Sequence, residues 1–321
     1  MTKMKALITG ITGFAGSYLA ENLLSTGKYE ISGTYLFEDS IVNVGKIKDK
    51  LDLIKAELSQ YGSIFDIVKN VVPSVIFHLA ALTSPADSFK NPTETLTNNI
   101  SLQVNLLEAV RKNNLFNTKI LVISSADTYG LVKKKDLPID EQTPFMPTNP
   151  YSVSKIAQDF LGLSYYLSYK LKIVRVRPFN HIGPRQSPGF VVASFAKQIA
   201  EIEKGKRKPV LHVGNLEAKR DFVNVKDMVN AYVLAVEKGK DGDVYNIGSG
   251  TSYAISDILN KLINMSSSKI EIEKDDTLFR PTDNPELVCD SSKFRKLTDW
   301  KPTISIDETL KDTLDYWRNI T

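Results

Sequence analysis

Tyr151 and Lys155 stand four residues apart in Tyr151-Ser152-Val153-Ser154-Lys155, a spacing that a helix converts into two side chains on one face, one turn apart. An ammonium so placed stabilises a phenolate, lowers the phenol's pKa and lets it pass a proton to or from a ligand oxygen. Ser125 follows the apolar run 120–123 and offers a hydroxyl that can bond the same oxygen and orient it; Ser124 is its ambiguous neighbour. A lone Tyr-x-x-x-Lys is more often a bland helical surface pair. Support comes from Gly10, Gly13 and Gly16, with Thr12, Phe14 and Ala15 between them, at the junction of a strand pattern and a helix pattern. There a glycine-rich turn lets backbone N–H groups and a helix N-terminus face a pyrophosphate.

These groups need a scaffold, and the apolar periodicity describes one. Residues 5–9 read as a short buried strand and 17–25 as a helix with Leu19, Leu23 and Leu24 on one face. Apolar runs follow at 31–36, 75–79, 120–123 and 173–176, separated by helical patterns such as 101–110 and 154–167. This alternation predicts an α/β chain with a Rossmann-type, doubly wound parallel sheet. After Pro178 the pattern loosens into a proline- and glycine-rich loop before a helical stretch at 192–203, while 220–235 and the strand at 244–247 can return to the sheet. The expected division is therefore interleaved: residues 1–178 plus about 214–250 bind the dinucleotide, and about 179–213 plus 251–321 form a smaller C-terminal substrate-binding region.

Composition removes several classes of function. The 321 residues are 42% apolar and 24% charged, ordinary for a globular chain, and no apolar stretch reaches the roughly 20 residues of a membrane span. A net charge of +4 lacks the basic stripe of a nucleic-acid binder. Cys289 alone allows no internal disulfide and no thiolate metal cluster, so no metal is expected. No leader pattern opens the sequence, and a cytoplasmic location is the expectation. His78 reads as a core histidine.

Taken together, the glycine turn, His78-Leu79-Ala80-Ala81, Ser124-Ser125-Ala126-Asp127-Thr128-Tyr129-Gly130 and Tyr151-x-x-x-Lys155 resemble the extended short-chain dehydrogenases that modify nucleotide sugars. The resemblance runs nearly end to end. It implies that Glu57 and Leu58, expected after the next helix, lie near the adenine, that Leu79, Ala80 and Ala81 lie beside the cofactor ribose, and that Lys155 and Tyr151 meet the nicotinamide end. The second strand lacks the acid that bonds a ribose 2′-OH, with Glu38 and Asp39 slightly beyond it, and no arginine lies nearby for a 2′-phosphate. NADP is expected on resemblance, with NAD as the alternative.

Residues 177–184, 214–222 and 280–283 resemble the substrate segments of the GDP-mannose 4,6-dehydratase group. This implies that Asn180, Arg185, Arg220 and Arg280 meet the sugar and diphosphate, that Asp283 lies near the nucleotide ribose, and that Ser84, Ser125 and Asp127 contact substrate. Guanidinium forks suit such oxygens. The dehydratases of the group use Thr-x-Glu, whereas this chain has Ser125-Ala126-Asp127, one methylene shorter. A misplacement of about 1 Å costs roughly 100-fold in rate, which disfavours dehydration. The implied reaction is reduction of the 4-keto group of GDP-4-keto-6-deoxy-D-mannose to GDP-D-rhamnose. The rivals are the 4,6-dehydratase, a 4-epimerase and, from a different class, a non-catalytic dinucleotide-sensing regulator. Apolar residues beyond one buried face at 102–110 and 154–167, among them Leu161, Tyr165 and Tyr166, predict a homodimer, as helices at this place do in the family.

Overall fold

A computed structural model describes residues 3–279 and 281–321. Strands β1 (Met4–Thr9), β2 (Tyr29–Tyr35), β3 (Asp52–Lys55), β4 (Val75–His78), β5 (Lys119–Ile123), β6 (Lys172–Pro178) and, later in the chain, β10 (Val244–Ile247) form one seven-stranded parallel sheet. Their order is β10-β6-β5-β4-β1-β2-β3, with every pair parallel. Ala6, Leu7 and Ile8 are all fully buried because helices cover both faces of the sheet. The period of two sends Ala6 and Ile8 into one apolar layer and Leu7 into the other. The first layer is shared with α1 (Phe14–Ser25), α7 (Val225–Lys238) and α9 (Ser292–Thr298) through Leu19, Leu23, Met228, Val229 and Phe294; the second with α2 (Tyr61–Val71) and α4 (Pro92–Lys112) through Ile64, Val68, Leu102 and Leu106.

The expected doubly wound sheet is therefore present, and its strand order reverses between β1 and β4. Ligands in such sheets bind at the carboxyl ends of the strands at this switch point. The glycine turn leaves β1 there, and residues 79–83 leave β4 beside it.

A smaller assembly lies over the same end. Strands β7 (Asn180–Ile182), β9 (Lys219–Asn224), β11 (Ser252–Ala254) and β13 (Glu286–Leu287) form a four-stranded sheet, and β8 (Val210–Val213) pairs with β12 (Glu271–Lys274). Val192, Phe195, Ile199, Leu259 and Leu314 form its core with α6 (Val191–Glu203), α8 (Ile255–Asn264) and α10 (Ile306–Ile320). The stretch 220–235 is split: β9 belongs to the smaller sheet, whereas α7 packs on the larger one.

Contrary to the expectation from sequence, Glu57 and Leu58 do not follow a helix. They follow β3, and α2 begins only at Tyr61. A four-residue edge strand with exposed Asp52 and Lys55 at its ends carries too little apolar pattern to be seen. Helix α5 (Pro150–Tyr169) likewise starts earlier than its apolar pattern, because the start is polar: the Asn149 carboxamide oxygen accepts the Ser152 N–H at 2.8 Å, and Pro150 occupies the first turn.

On β6 the period of two puts Arg175 and Arg177 on the α5 side, where both guanidinium groups bond the buried Asp159 carboxylate. Of the residues expected to protrude from α5, Leu161 and Tyr165 pack against the core. The exposed large apolar side chains of α5 are Val153, Phe160, Leu167 and Tyr169 instead. No helix among the described residues is long and apolar enough to cross a membrane, and no cluster of potential metal ligands occurs among them.

Candidate active site

A cavity of about 1160 Å³ runs along the carboxyl ends of the strands, from the glycine turn to the smaller assembly. Its first half is built by the turn itself. Gly10 has φ +71°, and a Cβ there would lie 3.1 Å from the Ala80 Cα; a Cβ on Gly16 would stand 2.3 Å from the Gly10 carbonyl oxygen. Glycine is required at both places by close backbone approach. Helix α1 starts at this turn with no side-chain cap on Gly13 and no acid in its first turn. The N–H groups that every helix start leaves unpaired thus open where Gly13, Phe14, Ala15 and Gly16 line the cavity. The 3₁₀ segment Glu38–Val44 docks on the turn through the Thr12 and Ser40 hydroxyls at 2.7 Å and the Asn43 amide, which donates to the Thr12 carbonyl at 2.9 Å. Glu57, Leu58, Leu79, Ala80 and Ala81 line the same half. The cradle fits a dinucleotide: a glycine-walled, uncapped helix start for the diphosphate and small alanines beside it.

Thr9 accepts the N–H groups of Leu79 and Ala80, each at 3.1 Å, so its hydroxyl donates to His78 Nδ1 at 2.8 Å. Burial holds His78 at about 3, a neutral ring in the core.

Ser125, Asp127, Tyr151 and Lys155 meet on the cavity wall. The Ser125 hydroxyl oxygen accepts the Asp127 N–H at 3.1 Å, and the Thr128 hydroxyl donates to the Ser125 carbonyl at 2.6 Å, fixing the turn. Tyr151 lies in the first turn of α5 and Lys155 one turn on, both almost fully buried. Here the structure corrects the electrostatic reading of the pair. The Lys155 ammonium donates to the Ile123 carbonyl at 2.7 Å and the Gln158 carboxamide oxygen at 2.8 Å. Burial pushes the Tyr151 phenol above its ordinary value, the Asp127 charge adds to this, and only a hydrogen bond from Ser125 pulls it down. Burial, with no ion pair to Lys155 among the described residues, lowers its ammonium to about 7.

The second half of the cavity carries Asn180, Arg185, Arg220 and Asp283. Arg185 reaches back to α1, pairing with Glu21 at 2.7 Å and lying 4.5 Å over the Tyr18 ring. Arg220 pairs with Asp283, whose other oxygen accepts from Asn215 at 3.0 Å, and donates to the Asn284 carbonyl at 2.7 Å. Ser84 caps the short helix α3 (Pro85–Lys90), accepting the Asp87 N–H at 3.1 Å, while its neighbours Thr83 and Pro85 line the cavity. Arg280 lies outside the described residues.

A sequence profile described as GDP-mannose 4,6 dehydratase matches residues 7–313. The chain belongs to the GDP-mannose 4,6 dehydratase family. Curated members resemble it over nearly their whole length. The GDP-6-deoxy-D-mannose reductase of Pseudomonas aeruginosa is 31% identical over 315 residues, 98% of this chain and 97% of that protein. GDP-mannose 4,6 dehydratase 1 of Arabidopsis thaliana is 30% identical, over 97% of this chain and 88% of that one. Among solved structures, RMD from Pseudomonas aeruginosa complexed with NADPH superposes with a TM-score of 0.86 at 30% identity, covering 99% of this chain and all of that one. The UDP-glucose 4-epimerase of Thermus thermophilus, in complex with NAD, reaches the same TM-score at 26% identity, with 99% of this chain and all of that one covered.

Within this family framework the cavity also takes residues that sequence reasoning missed. Tyr232 lines it from α7, and His181 lies parallel to the Phe14 ring at 5.7 Å. Tyr232 sits in an apolar helical pattern that marks it only as core, and His181 lies inside the motif 177–184 but had no role assigned.

Proposed function

We propose that the protein reduces the 4-keto group of GDP-4-keto-6-deoxy-D-mannose to GDP-D-rhamnose, with NADPH or NADH as reductant. The observation that carries this reading is the meeting of Ser125, Tyr151 and Lys155 on the wall of the cavity whose other half cradles a dinucleotide. A protonated Tyr151 can deliver the proton that reduction needs at the nascent alkoxide. The 31% identity to the Pseudomonas aeruginosa reductase and the NADPH held by RMD support the same reading.

The bound nicotinamide supplies the hydride. Ser125 donates a hydrogen bond to the ketone oxygen, Tyr151 delivers the proton to it, and Lys155 holds the nicotinamide ribose. Gly10, Gly13 and Gly16 with the start of α1 hold the diphosphate of the cofactor, and Glu57 and Leu58 border its adenine. Ser40 and Asn43 offer a hydroxyl and an amide where an acid would reject a 2′-phosphate, which favours NADP. Arg220, Asn180 and Asp283 serve the nucleotide sugar, while Arg185 is held on α1 by Glu21 and Tyr18, and the exposed Phe160 and Leu167 of α5 belong to a homodimer contact.

One observation favours a second reading. Asp127 acts electrostatically on Tyr151, so a carboxylate stands in the reacting zone where the dehydratases of the group use glutamate. The test is to add the keto sugar with NADPH or NADH and follow loss of reduced-nicotinamide absorbance, with GDP-mannose alone in parallel. Stoichiometric oxidation, reduced roughly 10²–10⁴-fold by Tyr151→Phe, supports the reductase. A keto sugar formed from GDP-mannose without added reductant makes the enzyme a dehydratase.

A further inference from the structure

Beyond the serine, tyrosine and lysine, one buried group touches the lysine and has no part in the reaction as described. Gln158 is almost fully buried on α5, less than one turn after Lys155. Its carboxamide is immobilised at both ends: Nε2 donates to the Asn99 carbonyl of α4 at 2.9 Å, which fixes Oε1 toward the Lys155 Nζ at 2.8 Å. Its main-chain carbonyl accepts the Gln103 amide at 2.5 Å. The Asn99 side chain then bonds both backbone groups of Leu82, at 2.7 and 3.0 Å, and the Ser154 hydroxyl at 2.9 Å. A single network therefore joins the cavity-lining segment after β4, helix α4 and the lysine.

An ammonium has three N–H groups. The Ile123 carbonyl and the Gln158 amide take two, and Lys155 itself lines the cavity, so one remains for a ligand there. No carboxylate among the described residues forms an ion pair with Lys155. The titratable groups about it are Tyr151 on its own helix and His78 on β4, both uncharged near neutral pH; β5 contributes the Ile123 carbonyl and α4 only amides. The charged lysine is thus solvated by two oriented dipoles rather than by a bonded carboxylate, and Asp127, on the same cavity wall, acts on Tyr151.

We propose that Gln158 is the positioning residue of Lys155: held by Asn99, its amide oxygen fastens the ammonium at the end of β5, keeps it charged without neutralising it, and leaves one N–H for the cavity. A glutamate here would make a buried ion pair and cancel the positive charge offered to the ligand; an apolar residue would strip the ammonium of half its protein partners.

The role assigned to Lys155 in catalysis rests on the function proposed above, but the contact with Gln158 does not, and the test separates them. The Lys155 titration is followed by NMR on the ligand-free protein carrying ¹³C-labelled lysine, with Lys155→Met identifying the signal. A hydrogen bond to a charged group is worth about one pKa unit or more, so Gln158→Met should lower the Lys155 pKa by about one unit, and Gln158→Glu should raise it by at least as much. NADPH affinity, measured by fluorescence, should fall in Gln158→Met at about pH 7.5 and recover most of the difference from wild type at about pH 6, where roughly half of the lysine is again protonated. A purely space-filling glutamine leaves the Lys155 titration and the pH dependence of binding unchanged in Gln158→Met, and that result overturns the proposal. Should Gln158→Met fail to fold, an unshifted Lys155 in Gln158→Glu overturns it equally. Absence of keto-sugar reduction with the lysine shifts intact would reject the reductase alone.

Discussion

The two halves of the cavity are built on different principles. In the glycine-turn half the backbone forms the site: Gly10 and Gly16 are required by contacts of 3.1 and 2.3 Å, and the helix start faces the space with no side chain in the way. In the far half side chains form it, and they are already engaged with one another, Arg185 with Glu21 and Arg220 with Asp283 and Asn284. A backbone site tolerates almost no substitution at the positions that shape it, whereas a side-chain site can be retuned one residue at a time. This fits a family in which one scaffold serves reductases and dehydratases.

The largest break in that contrast is expected from Gly16→Ala. Its Cβ would meet backbone, which cannot give way as a flexible side chain does, and overpacking of this kind costs about 1–3 kcal/mol. Cofactor affinity should fall by roughly 10–100-fold in a fluorescence titration; an unchanged affinity would show that the turn is not the cradle.

On the other side, Arg220→Met should raise KM for the nucleotide sugar about tenfold or more and leave kcat within a few-fold, as expected when a charge-assisted contact is uniform between ground and transition states. A kcat loss as large as the KM gain would move Arg220 into the chemistry. Arg185→Met sharpens the comparison, because its guanidinium is spent on α1. The expectation is a melting temperature lower by a few degrees and a KM within about threefold; the reverse pattern would mean that the Glu21 pair opens for substrate.

The smallest effect concerns pH. Lys155 titrates at about 7 when folded, below its ordinary value, so its buried charge costs stability in full below pH 7. The cost fades as pH rises from 7 toward 10.5, the ordinary value of a lysine in the unfolded chain. Lys155→Met should therefore show its most favourable change in melting temperature relative to wild type below about pH 7 and a smaller one at about pH 9. A difference independent of pH would mean that burial does not shift the Lys155 pKa from its ordinary value.

Much of this was legible in the residues. The apolar runs revealed the large sheet, because strands buried on both faces leave an unbroken signal, and the glycine spacing located the turn. Pro150 and Asn149 started α5 one residue before Tyr151, a polar signal that apolar periodicity does not register. Strand β3 went unseen because an edge strand of four residues buries too little.

What the sequence by itself determined is which groups are able to do chemistry and which end of the sheet they occupy, since local spacing and the order of elements along the chain are properties of the sequence. The tertiary structure decided their state. The Tyr151 phenol is raised rather than lowered because burial and Asp127 outweigh a lysine whose ammonium is engaged elsewhere. Two arginines predicted from motifs turned out to be paired, with partners 164 and 63 residues away. Desolvation and long-range pairing depend on what the fold brings alongside a residue, and no local pattern encodes that.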